Sequence, residues 1–333
     1  MRHVAIVGAT GAVGQEFCRV LRERGFPADS YRYYGSRRSA GTTIQGVEGP
    51  AQVEELMDTS LQGIDLAFFS AGGDVSRTFA EPVAAAGTLV IDNSSAFRMD
   101  PTVPLVVPEV NPEAIVGNRG IIANPNCSTI ILMVVLWPLH RVRPIRRVVV
   151  STYQAVSGAG ARALAELESQ TRAVLDGNPP EPSVFPVPCA FNVFSHDTPV
   201  GDDGLNTEER KLVLETRKIF DDAAIQIAPT CLRVPVMRAH TESATIEFAD
   251  PFPVEHARAA LAAAPGVRVV DDPPSNHFPT PLEASGQDDV LVGRIRTDLS
   301  IPNARGLQLL CSGDQLRKGA ALNAVQIAEV LTK

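Results

Sequence analysis

Apolar positions in the first third of the chain fall into short runs separated by helical stretches. Strands are expected at 3–7, 31–34, 66–70, 89–92, 105–107 and 121–123. Helices are expected after Gly11, near Val75 and at Ser128. Such β/α alternation predicts a parallel, doubly wound sheet. Beyond Pro144 the pattern changes. Strands are expected at 147–153, 225–227, 230–236, 243–248, 267–270, 290–298 and 306–311, with helices at 159–175, 206–220 and 316–331. Strands with intervening helices predict an α+β domain with a mixed or antiparallel sheet. The Pro-rich stretch from Pro179 to Pro188 reads as an irregular surface excursion or a partner-contacting arm.

The run from Ile130 to Trp137 is apolar on every side, which predicts a fully buried helix. It is well short of the roughly 20 residues that span a bilayer. The apolar run Val4-Ala5-Ile6-Val7 meets glycines at once and is too short for the apolar core of a signal peptide. A chain of 333 residues suggests two domains. With 20% charged residues and a mean hydropathy of +0.04 it fits a globular protein with a sizeable core. A net charge of -8 argues against a general nucleic-acid partner. Five scattered cysteines have neither zinc-ligand nor disulfide-framework spacing. No metal ligand cluster is expected, and a reducing, cytoplasmic setting is the simplest account.

Candidate chemistry begins at Asn124-Pro125-Asn126-Cys127-Ser128-Thr129. Asn-Pro marks a turn, and Asn126 or Ser128 can cap the helix that follows. A thiol there meets unpaired N–H groups and the positive end of a helix dipole, which favour thiolate. A lone cysteine is most often a small buried hydrophobe, so its weight depends on the other segments.

Gly8-Ala9-Thr10-Gly11-Ala12-Val13-Gly14 follows the first strand and opens a helix. The spacing is a variant of the dinucleotide fingerprint, in which glycines admit a pyrophosphate to a helix N-terminus. An NAD site carries an acid about 20 residues on. Here Ser36-Arg37-Arg38-Ser39 stands instead, suited to a 2′-phosphate, which favours NADP; a solvated basic loop is the alternative. Ser151 to Gly160 joins a strand to a helix through small residues, with Gln154 available for a substrate polar group. Arg233 and His240 are read at opposite ends of a short apolar strand and offer a carboxylate anchor and an acid/base. The remaining histidines, His196 among them, read as ordinary. Arg98 follows a strand end and could hold phosphate or pair on the surface with Asp100. Glu208 and Lys211 share a helix face, which usually means a solvated salt bridge.

Taken together these segments resemble the bacterial aspartate-semialdehyde dehydrogenases. The resemblance covers nearly the whole chain, through GATGAVG (8–14), SRRSAG (36–41), DNSSAFR (92–98), VPLVVPEVN (103–111), NPNCST (124–129), STYQAVSGAG (151–160), ETRKI (215–219), RVPV..AH (233–240), VGRIR (292–296) and KGAALNAVQIAE (318–329). It implies a Rossmann-type NADP-binding domain over 1–127, joined by a C-terminal helix at 313–333. It also implies a catalytic and dimerisation domain over 128–312, similar to that of glyceraldehyde-3-phosphate dehydrogenase.

The implied activity is NADPH-dependent reduction of L-aspartyl 4-phosphate to L-aspartate 4-semialdehyde, in lysine (diaminopimelate), threonine and methionine biosynthesis. Cys127 would be the nucleophile, Gln154 would orient the substrate, and His240 would be the acid/base. Arg233 would grip the substrate carboxylate, Glu208 its amino group, and Arg98 with Lys211 the phosphate. Asn126 would support the thiol site. Gly8, Thr10, Gly11, Ala12, Val13, Gly14, Ser36, Arg38, Ser39, Ser157, Gly158 and Asn323 would face the cofactor. The expected partners are substrate and inorganic phosphate, with a homodimer through the second domain and neither nucleic acid nor membrane. Two departures are visible: Ser195-His196 where relatives often carry Pro-Gln, and Ala239 where many have Gly. The rivals are another thiol-dependent acyl-phosphate reductase, such as N-acetyl-γ-glutamyl-phosphate reductase, and a silent paralogue.

Overall fold

The computed structural model describes residues 2–332. The chain divides into two compact units, Met1–Asn126 with Gly319–Lys333, and Cys127–Lys318. In the first, β1 (His3–Val7) leads into α1 (Ala12–Glu23) and β2 (Ser30–Gly35). A small hairpin, β3 (Thr43–Gln45) with β4 (Pro50–Gln52), precedes the short β5 (Glu54–Glu55). Then follow β6 (Leu66–Phe69), α2 (Gly73–Ala85), β7 (Leu89–Asp92) and β8 (Ile121–Ala123). The sheet order is β5-β2-β1-β6-β7-β8, and every pairing is parallel. The order reverses at β1, between β2 and β6. In open parallel sheets ligands enter at such a switch point, beyond the strands' C-terminal ends. Val4, Ala5, Ile6 and Val7 are fully buried, as expected of a strand covered on both faces.

In the second unit, α3 (Cys127–Val142) precedes β9 (Ile145–Gln154), α4 (Ala161–Leu175), β10 (Phe194–Ser195) and α5 (Thr207–Phe220). The chain continues through β11 (Gln226–Arg233), β12 (His240–Phe248), α6 (Val254–Ala262) and β13 (Val267–Val269), then α7 (Pro281–Ala284), β14 (Val290–Thr297) and β15 (Gly306–Gly313). The sheet is mixed, in the order β10-β11-β9-β12-β15-β14-β13. The last helix, α8 (Leu322–Val330), packs within the first unit against α1 and β7. As the apolar run predicts, α3 buries every residue from Ser128 to Leu136. It packs between the sheet of its own unit and helices α5 and α6.

Several sequence expectations are corrected. The strands expected at 225–227 and 230–236 merge into one strand, β11, running through Pro229 and ending at Arg233, so the stretch from Arg233 to His240 is a connection between β11 and β12 and not a strand. Pro is tolerated there because β10 pairs only with Leu232 and Arg233, so β11 is an edge at Pro229. The stretch 105–107 forms only an isolated bridge from Leu105 to Ala123. The helix expected over 316–331 is broken, with a π-helical turn at Arg317–Ala321 before α8; Gly319 lies inside that turn, where α-helix preference is weak. The Pro-rich segment is not merely a surface excursion. Its Phe185 is buried with Val156, Leu167 and Cys189, and Glu166 of α4 ties it down by accepting bonds from Ser183 Oγ and two backbone N–H groups. Among the described residues no helix is long and apolar enough to cross a membrane. All five cysteines are free; four are buried and Cys127 is half-buried.

Candidate active site

Helix α3 begins at Cys127, so the thiol stands in its first turn. Its Sγ lies 3.5 Å from Nε2 of His240, the first residue of β12. The imidazole is fully buried. Its other nitrogen, Nδ1, accepts the N–H of Ala155 at 3.0 Å. A neutral ring that accepts at Nδ1 carries its proton on Nε2, facing sulfur. Burial, aided by the positive charge of Arg233 and opposed by Glu208, lowers the His240 pKa from 6.5 to about 3. The ring is therefore neutral near pH 7 and a hydrogen-bond donor toward the thiol.

Strand alternation puts the other functional groups on the same sheet face. Gln154 and Thr152 on β9, Arg233 and Cys231 on β11, and His240 and Glu242 on β12 are all buried. Gln154 stands opposite Arg233 in the parallel register. Gln154 Nε2 donates to Glu208 Oε1 at 3.2 Å, and Lys211 Nζ donates to Glu208 Oε2 at 2.9 Å. The Glu208–Lys211 pair is thus not the solvated bridge its spacing suggested, since Glu208 is buried. A capping box sets its place in the first turn of α5. The Asn206 side chain accepts from Glu209 N–H, and Glu209 Oε2 accepts from Asn206 N–H. Glu209 Oε1 also accepts from Cys231 N–H, which fastens the helix start to β11.

Arg233 Nη1 donates to the Ala155 carbonyl at 3.1 Å. One residue, Ala155, therefore aligns both His240 and Arg233. Arg233 Nη2 reaches Asp197 Oδ1 and His196 Nε2, each at 2.9 Å. Its guanidinium carbon stands 5.3 Å from the centroid of the Phe185 ring. Gly158 lies against the same site: a Cβ there would sit 3.4 Å from His240 Nε2 and 3.5 Å from Arg233 Nη1. Ser157 Oγ accepts from Gln315. Ala239, just before His240, has φ +70°, a left-handed conformation that costs an alanine more than a glycine.

The first unit holds the remaining candidates. Gly8 has φ +87°, and a Cβ on it would collide with the Ser70 backbone after β6. A Cβ on Gly14 would sit 2.8 Å from Ala9 Cα, so α1 approaches the β1 turn as closely as backbone permits. Gly11 caps α1 with no side chain of its own, while Thr10 and Gly11 are exposed and Ala12 and Val13 half-buried. This cradle fits a dinucleotide pyrophosphate. Beyond β2, Ser36, Arg37 and Arg38 are exposed and no carboxylate interrupts them; the Ser39 hydroxyl donates to the Ser36 carbonyl.

Arg98 is buried rather than a surface partner. It donates to the carbonyls of Asn124 at 2.9 Å and Asn93 at 3.0 Å. Asn126 is buried. Asn323 is also buried and gives both amide protons to its own unit, to Val106 O at 2.9 Å and Asn124 Oδ1 at 2.7 Å. Among the described residues no group of three His, Cys, Asp or Glu could hold a metal ion.

Sequence reasoning missed His196, Asp197, Phe185 and Glu242. The unusual Ser195-His196 pair was the available signal for the first two. Glu242 stands between Thr152 and Cys311 with neither carboxyl oxygen partnered. Burial, reinforced by the nearby Glu208 charge, raises its pKa well above the usual range, which favours the neutral acid.

A glycine-cradled parallel sheet together with a histidine-backed thiol at a helix start fits the class of dinucleotide-linked dehydrogenases. Comparison with known proteins narrows this class. Residues 3–118 match the model described as "Semialdehyde dehydrogenase, NAD binding domain", and residues 136–318 match "Semialdehyde dehydrogenase, dimerisation domain". The chain is 53% identical to an aspartate-semialdehyde dehydrogenase of Synechocystis sp., over 99% of this chain and 97% of that protein. The crystal structure of aspartate semialdehyde dehydrogenase II of Vibrio cholerae complexed with ASA superposes with a TM-score of 0.96 at 44% identity, covering 100% of this chain and 98% of that one. The Candida albicans enzyme with NADP has a TM-score of 0.76 at 25% identity, covering 100% and 98%. The chain belongs to the aspartate-semialdehyde dehydrogenase family.

Proposed function

We propose that the chain reduces L-aspartyl 4-phosphate to L-aspartate 4-semialdehyde with NADPH, reversibly and through a thioester on Cys127 (EC 1.2.1.11). The observation that carries this reading is the Cys127–His240 pair, whose histidine shares a sheet face with the buried Arg233 and Gln154, the latter bonded to the buried Glu208 of α5. The Cys127 thiolate attacks the acyl carbon; the C–S bond forms as the C–O bond to phosphate breaks, and phosphate leaves with the electron pair. When bound, the nicotinamide supplies the hydride that the acyl carbon takes up. The resulting oxyanion collapses, the carbonyl reforms, and sulfur leaves again as thiolate. Nε2–H of His240 supports each negative stage by donating to sulfur or to the oxyanion. A full acid/base shuttle at Nε2 would require Ala155 N–H to release Nδ1.

Arg233 anchors the substrate α-carboxylate, Glu208 receives its ammonium group, and Gln154 orients the chain between them. Lys211 and Arg98 serve the phosphate, and Asn126 supports the thiol. Gly8, Thr10, Gly11, Ala12, Val13 and Gly14 hold the pyrophosphate, and Ser36, Arg38 and Ser39 the 2′-phosphate, which selects NADP. Ser157, Gly158 and Asn323 line the nicotinamide end. The chain would act as a homodimer through its second domain, in the cytoplasm, in the biosynthesis of lysine, threonine and methionine. The buried carboxylate Glu208 favours a free amino group over the N-acetyl group of the rival γ-glutamyl substrate, because an uncharged amide gains little from a desolvated anion.

The test is phosphate-dependent reduction of NADP with L-aspartate 4-semialdehyde, beside Cys127→Ala. Activity lost only in the variant is expected. Folded, NADP-binding but inactive wild type would overturn the substrate assignment, and reaction with the N-acetyl-γ-glutamyl substrate instead would establish the rival.

A further inference from the structure

Arg233 already holds a carboxylate. Its Nη2 carries two protons and has two acceptors, Asp197 Oδ1 and His196 Nε2. His196 accepts because it is neutral: burial lowers its pKa, and Arg233 opposes protonation against the pull of Glu208 and Asp197. Asp197 stays ionised. Burial would raise its pKa, but the hydrogen bond and charge of Arg233 pull it below the usual carboxylate range. Nη1 is bonded to Ala155 O, and the buried Nε has no partner.

A carboxylate that grips an arginine bidentately uses one edge of the guanidinium, either Nε with Nη2 or Nη1 with Nη2. Both edges need a proton of Nη2, and both of those are engaged. We propose that Asp197 is a resident counter-carboxylate that a substrate carboxylate must displace from Arg233, making Asp197 a determinant of substrate affinity. This rests on the reading of Arg233 as carboxylate anchor.

Asp197 is the partner that leaves. Its side chain is 24% exposed against 7% for His196, and the backbone N–H of His196 is fixed to the Cys231 carbonyl at 2.9 Å. A second anion at Nη2 would also repel Asp197 and not the neutral ring. The Phe185 face and the Ala155 carbonyl hold the guanidinium in place while its partners exchange.

The test is steady-state kinetics for L-aspartate 4-semialdehyde with NADP and phosphate saturating. In Asp197→Asn, KM should fall about three- to tenfold with kcat within about twofold. Asp203→Asn, which removes an equal charge from an exposed pair with Arg210, should leave KM unchanged. Asp197→Ser gives the same reading if the asparagine variant does not fold. An unchanged or higher KM in the folded Asp197 variant overturns the proposal alone, as does an equal fall in Asp203→Asn. Arg233→Lys should raise KM; a KM left at the wild-type value overturns the anchor reading and this proposal together.

Discussion

At the C-terminal end of β1 the first unit presents main chain, whereas at the ends of β9, β11 and β12 the second unit presents buried side chains. The glycine turn works by absence. Gly8 and Gly14 leave no atom where a Cβ would strike backbone, so N–H groups and a helix start can face a polyanion. The thiol site works by accumulation, holding an imidazole, a guanidinium and carboxyl groups out of water on one sheet face. Such burial must be offset by close partners. The two designs should therefore fail in different ways: loss of a side chain in the second unit should stop chemistry while leaving the cofactor cradle, and a gain of one methyl in the first should do the reverse.

The largest effect is expected from Cys127→Ala. Turnover should drop by at least about 10⁴-fold, while NADPH fluorescence titration stays near wild type. Joint loss of both would mean the two regions are not separable. Next is Gly14→Ala, whose new methyl meets Gly8 O and Ala9 Cα, neither of which can swing aside. Destabilisation of about 1–3 kcal/mol is expected, together with weakened NADPH binding, read from urea melts and the same titration. Unchanged affinity would remove Gly14 from the cradle.

A pH effect tests the buried side chains. The folded His240 pKa lies at about 3 against 6.5 for a free imidazole. Between these values the unfolded chain binds a proton that the folded chain excludes. The His240 contribution is therefore full above pH 6.5 and lost as pH falls toward 3. Urea midpoints of the wild type should fall more steeply between pH 7 and 5 than those of His240→Gln; parallel profiles would contradict a neutral buried ring. The smallest effect is expected at Ala239. Relief of its left-handed backbone by Ala239→Gly, less the added flexibility of the unfolded chain, should stabilise by about 0.5 kcal/mol. A clear loss of stability would show that the methyl packs usefully.

Spacing and residue type were enough to read the parallel sheet and the buried α3, because each depends on local pattern; Cys127, Gln154, Arg233 and His240 were weak candidates one by one and gained roles only through the resemblance of many segments together. β1 and its glycines are contiguous, so a Gly-rich turn after an apolar run conveys its own conformation. Pattern fared worse where the deciding neighbour is distant. The strands expected at 225–227 and 230–236 proved continuous through Pro229, because β11 is an edge at that point. Phe185 sat in a proline-rich stretch whose anchor, Glu166, lies in another element. His196 looked ordinary because its partner Arg233 is 37 positions away.

By itself the sequence determined the two sheet types, the helix that begins at the thiol and the chemical groups available to it. Only tertiary structure decided their states: which nitrogen of His240 bears the proton, that burial pushes the Glu242 carboxyl well above its usual range, and that Arg233 is already paired with Asp197. The reason is physical. Secondary structure follows from backbone preference and periodic burial over a few residues, whereas protonation and pairing depend on burial and on charges brought within a few ångströms from separate strands.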